Sequence, residues 1–89
     1  MIISSLPAKL HINVTQDHID NGVKDNCKQC PVALAIIEQY PDSKMVKVFP
    51  DYIKIDTNYY NVPESLSDFV FDFDMEEPVK PFAFVAERW

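Results

Sequence analysis

The sequence predicts a single α+β domain spanning residues 1–89, with an about four-stranded, mostly antiparallel sheet, two main helices and one short helical turn. Three observations carry this expectation. Short runs alternate apolar and polar residues, as strands with one buried face do. Two other runs are proline-started and apolar at helical spacing. The chain has 89 residues, enough for one domain and not for two. With 47% hydrophobic and 12% aromatic residues, it also carries the core material that disordered segments lack.

The elements follow in order. Leu10, Ile12 and Val14 alternate with Lys9, His11 and Asn13, which predicts a strand. Thr15 is placed to cap a short turn over Gln16–Asn21, and Gly22 suits a left-handed residue ending that turn. A polar loop leads to Cys30-Pro31, where proline at the first helical position opens a helix. Val32–Ile37 are apolar nearly all round, so this helix is expected in the core; Tyr40-Pro41-Asp42 ends it. Met45–Phe49 and Tyr52–Thr57 read as a hairpin about Pro50-Asp51, and Asn58–Asn61 as a tyrosine-containing loop.

Pro63–Asp74 carries two patterns. Phe69, Phe71 and Phe73 alternate as in a strand, whereas Leu66, Phe69, Val70 and Phe73 share one face of a helix. Pro63 and Glu64 at the start favour the helix. Phe82–Glu87 is read as a final strand, more naturally an inner than an edge one.

Charge is unevenly distributed. The net charge is −6, and residues 61–79 hold six acids and no Lys or Arg, leaving the rest of the chain formally neutral. Direct nucleic-acid binding and adhesion to anionic membranes are therefore not expected, since both need a basic footprint. No apolar run approaches the about 20 residues that span a bilayer, and Met1–Leu10 has no basic leader region. Cytoplasmic residence is the expectation.

Three features invite chemistry. Cys27 and Cys30 form a C-x-x-C at a helix start, where the helix field lowers a thiol pKa, as in thioredoxin-type redox motifs. The preceding strand of a βαβ unit is missing, however. Cys27 and Cys30 with His11 and His18 would also complete a tetrahedral zinc set, though not at a familiar finger spacing. The plainer reading is a small buried Cys30 and a free Cys27, with no cofactor. His18 reads as a solvated helix residue beside acids. The single glycine rules out a Gly-rich phosphate loop, and no convergent catalytic set is visible; the chain is not expected to be an enzyme.

The third feature is the row Glu64, Asp68, Asp72 and Glu76, spaced by four residues. On a helix each step rises about 6 Å, a spacing comparable to that of a nucleic-acid backbone. Phe71 falls among these acids, opposite the apolar face, where an exposed aromatic would anchor a partner. The plainer reading is a solvated charged face with Phe71 covered by Tyr59-Tyr60.

Val14-Thr15-x-x-His18-Ile19-x-x-Gly22, followed by Cys30-Pro31-Val32-Ala33-Leu34-Ala35, resembles a motif of small proteins encoded in phage and prophage genomes. That family carries no assigned activity. The resemblance implies a phage origin and favours a host-directed role, and it supplies no catalytic residues. The functional expectation is a protein that binds, and inhibits, a host or phage protein with a basic surface through Glu64, Asp68, Phe71, Asp72 and Glu76. The alternatives are a zinc-stabilised module and a homo-oligomeric phage structural protein, with a homodimer as its simplest form.

Overall fold

The computed structural model describes residues 6–89. Residues 1–5, on which the expectation of no leader partly rests, lie outside the described residues. The α+β expectation holds, and the sheet has five strands rather than about four. The order along the chain is β1 (Lys9–Val14), α1 (Gln16–Asn21), α2 (Pro31–Gln39), β2 (Val46–Val48), β3 (Tyr52–Ile55), β4 (Asn58–Asn61), α3 (Glu64–Asp74) and β5 (Phe82–Arg88). The sheet order is β1-β5-β4-β3-β2, with every pairing antiparallel.

The strand β4 replaces the expected loop. Asp56, at φ 54°, turns the chain sharply after Ile55, which shortens the expected 52–57 strand. Its carboxylate accepts the backbone N–H groups of Lys44 (2.8 Å) and Met45 (2.9 Å), fixing the turn against the start of β2. The turned chain then pairs back along β3, with Tyr60 opposite Ile53. Tyr60 is fully buried, and its hydroxyl donates to the Pro7 carbonyl at 2.7 Å.

One face of the sheet makes the core. Leu10, Ile12, Val14, Phe84, Ala86, Tyr60, Ile53, Ile55, Val46 and Val48 point inward at alternate positions, as a pleated strand requires. Val32, Ala33, Ala35 and Ile36 of α2 and Leu66, Phe69 and Val70 of α3 complete the same cluster. Both main helices thus cover one side of the sheet. The expected burial of α2 is not complete around its axis, because Ile37 is exposed.

Local chemistry explains the helix ends. Thr15 caps α1 as expected, accepting the His18 N–H, while the Thr15 N–H donates to His18 Nδ1 at 2.9 Å. This is a reciprocal capping box with an imidazole where a carboxylate or amide usually stands. Nδ1 accepts that proton, so Nε2 carries one and donates to Glu38 Oε1 at 2.6 Å. His18 is therefore a half-buried brace between α1 and α2, not a solvated helix residue.

Gly22 departs from expectation. Its φ of −73° and ψ of 153° are extended, not left-handed. A Cβ there would meet Pro31 Cδ at 2.5 Å and Cγ at 2.6 Å. Glycine is required for this close approach of the α1 exit to the start of α2.

Candidate functional site

The helix reading of Pro63–Asp74 holds, with Pro63 at the cap and Glu64 in the first turn. At about 100° per residue, Leu66, Phe69, Val70 and Phe73 fill the inward arc, and Glu64, Asp68, Phe71 and Met75 share the outward one. Burial agrees: Leu66 is inaccessible, whereas Phe71 is 63% and Met75 61% exposed. Phe71 and Met75 stand four residues apart and so are neighbours on the surface. Asp72 lies exposed to one side of them. Asp74, on the other side, accepts the Asp25 N–H at 2.9 Å. Ser67 Oγ donates to the Pro50 carbonyl at 2.5 Å, holding the helix against the β2–β3 turn.

Two expectations about this face are corrected. Glu76 does not extend the row, because α3 ends at Asp74 and Glu76 turns left-handed at φ 63°. Its carboxylate instead takes Lys24 Nζ at 2.5 Å. That hydrogen bond holds the Glu76 carboxyl below its ordinary range and raises the Lys24 ammonium above its own. Nor do Tyr59 and Tyr60 cover Phe71. Tyr60 fills the core, and Tyr59 stacks on Trp89 with ring centres 5.3 Å apart.

The row is therefore Glu64, Asp68 and Asp72, with Phe71 and Met75 beside it. Met75 was missed in the sequence because it follows the last residue of the expected helix; its i, i+4 spacing from Phe71 was the available signal.

The zinc set is not assembled. Among the described residues, no group of three or more His, Cys, Asp or Glu side chains is placed to hold a metal. His11 sits exposed on β1 opposite Val85, and His18 is engaged with Thr15 and Glu38. Cys30 is buried, and its Sγ accepts the Ala33 N–H at 3.4 Å as the cap of α2. Burial pushes its thiol up to about 11, outweighing the lowering by the Ala33 and Val32 N–H groups. The helix start therefore does not make Cys30 a thiolate, since desolvation wins over the helix field. Cys27 is half-buried beside it, and both thiols line a cleft of about 320 Å³ with Asp25, Phe49, Val70 and Asp74.

The opposite side of the sheet forms a second surface. Lys54 stands beside Tyr59 in register, with its ammonium 5.4 Å from the ring centre. Tyr52 lies 5.7 Å from Tyr59 and 6.0 Å from Trp89 between ring centres, and Phe49 adds a ring 4.8 Å from Tyr52. The Trp89 indole N–H donates to Asn61 Oδ1. Nothing in the sequence showed this cluster, because it forms across three strands whose order was unknown.

No family model, no curated protein and no solved structure matches the chain. No helix among the described residues is long and apolar enough to cross a membrane.

Proposed function

We propose that this chain is a binding protein whose outward α3 face docks on a basic surface of a host or phage protein, and inhibits it by imitating a nucleic-acid backbone. One observation carries the reading: two large apolar side chains, Phe71 and Met75, stand more than half exposed within a row of carboxylates. A solvated charged face needs no such pair. An interface does, since desolvated apolar anchors supply most of the binding energy and a charged rim steers encounter.

Glu64, Asp68 and Asp72 step about 6 Å apart along the axis. Like charges at this spacing destabilise a helix by a few tenths of a kcal/mol per pair, so they do not serve its stability. The resemblance of the N-terminal motif to phage proteins supports an intracellular bacterial target, and with it a cytoplasmic site of action.

The test is capture of partners from host lysate at low and high salt, with an Asp68→Lys/Asp72→Lys variant alongside. The reading expects a nucleic-acid-binding protein that is lost at high salt and lost with the variant, whose circular dichroism stays native. A partner retained by the charge-reversed variant refutes the mimic.

A further inference from the structure

We propose that the open face of the sheet binds single-stranded nucleic acid, stacking a base on the outer face of Trp89, which Tyr59 and Tyr52 back, and meeting phosphates with Lys47 and Lys54. The inference is independent of the α3 reading and rests on a different surface.

The open face is set by the pleat. In β2, β3 and β4 the residues that alternate with the core are Lys47, Tyr52, Lys54, Tyr59 and Asn61. In β1 and β5 they are Lys9, His11, Asn13, Ala83, Val85 and Glu87, and Trp89 continues the alternation beyond β5. No described helix lies on this side. The register aligns Lys47 with Lys54 and Lys54 with Tyr59, and the Trp89 N–H donates to the Tyr59 carbonyl at 3.0 Å. A continuous line of two lysines and two rings thus crosses four strands. Tyr52 and Phe49 flank it.

The chemistry of this line fits a single strand better than other polyanions. Every base has a π-face, and aromatic platforms take successive bases with little sequence preference. Trp89 stacks on Tyr59 at an interplanar angle of 14° and is 67% exposed, so its second face is free for a base. Lysines at the end of the platform neutralise backbone phosphates. A duplex hides its base faces and cannot use the rings.

The net charge of −6 argued against any nucleic acid. It does so only if charge is spread over the molecule. The surplus of acid lies on α3 and the turn after it, whose outward face points away from the sheet. A helix diameter of about 10 Å separates the two, comparable to the Debye length of about 8–10 Å at physiological salt. On the open face, Lys9, Lys47 and Lys54 stand against one acid of the strands, Glu87, which lies between Lys9 and Asn61 in the register. The outward residues of the strands are thus basic in balance, with Lys47 and Lys54 on the ring side.

The experiment is a titration of fluorescently labelled oligothymidylate of about a dozen nucleotides with the full chain, read by anisotropy. In parallel, unlabelled oligonucleotide is titrated against the fluorescence of Trp89, the only tryptophan. Binding is expected to quench Trp89 and to weaken with salt at a log–log slope of about −1.4, two phosphates at about 0.7 each.

Tyr59→Ala is expected to weaken binding about tenfold, because Trp89 loses the ring that orients its stacked base, while Tyr59→Phe retains it. Lys47→Gln/Lys54→Gln removes the salt slope. Asp68→Lys/Asp72→Lys leaves the quenching of Trp89 in place, which separates this surface from the α3 face. Three results would overturn the proposal: no anisotropy change at low salt; equal binding of duplex or heparin unaffected by Tyr59→Ala; or concentration-dependent self-association through this face with no oligonucleotide bound.

Discussion

Gly22→Ala separates two explanations of a glycine by the sign of its effect. At φ −73° and ψ 153° the backbone sits in a region that alanine enters freely. If conformation were all that mattered, alanine would restrict the unfolded chain and stabilise the fold by about 0.4–1 kcal/mol. The contact predicts the opposite. An added Cβ meets Pro31 Cδ at 2.5 Å and the Pro31 nitrogen at 2.8 Å, against a carbon–carbon optimum of about 3.5–4.0 Å. Pro31 is buried at the first position of α2, and its ring has no rotamer by which to retreat.

Relief must come from shifting the start of α2 in a packed core, at about 1–3 kcal/mol. The net expectation is a loss of about 0.5–2.5 kcal/mol, read as a lower urea midpoint at unchanged slope. In a Pro31→Ala background the ring is gone and the penalty shrinks, so a double-mutant cycle shows coupling. An unchanged or raised midpoint for Gly22→Ala, or an equal penalty in both backgrounds, refutes the close-approach argument.

Two further predictions concern the core. Cys30 has a folded pKa of about 11 against 9.0 for the unstructured thiol, so its contribution is fully present below pH 9 and is lost as pH rises toward 11. At about 1.4 kcal/mol per unit this loss is about 2–3 kcal/mol, and Cys30→Ser, which does not titrate there, abolishes that part of the pH dependence of the urea midpoint. Tyr60→Phe removes the hydroxyl that donates to the Pro7 carbonyl and is expected to cost about 0.5–1.5 kcal/mol in thermal or urea unfolding with the fold retained.

What could be read in the sequence was what periodicity records. β1, α2, α3 and β5 each bury several residues on one face, and those residues repeat at intervals of two or about 3.6. β4 buries only Tyr60 and is bounded by asparagines, so it has no period to show. Gly22 departs from the left-handed expectation because what demands glycine there is Pro31, nine positions on, a contact no local rule sees. His18 held the position of a capping-box partner, but the usual template expects Glu or Gln there. Glu76 kept the spacing of the acidic row on paper, while the helix stopped two residues earlier and Lys24 took the side chain.

The candidate surfaces differ in how far sequence could reach them, for a physical reason. A helix face is a local object: residues 64–75 are enough to place Phe71 and Met75 beside Glu64 and Asp68. A sheet face is not local. Tyr52, Tyr59 and Trp89 meet only because β5 returns between β1 and β4, a pairing across almost the length of the chain. The same topology resolves the meaning of the net charge. Summed over the chain, −6 describes a molecule that repels polyanions; residue by residue, the surplus acids lie on the outward side of α3 and the turn after it, while the open sheet face carries Lys9, Lys47 and Lys54 beside Glu87. Screening over about a helix diameter separates the two faces electrostatically. Net charge therefore constrains solubility and long-range steering for this chain, while the register of its strands decides what each face can hold.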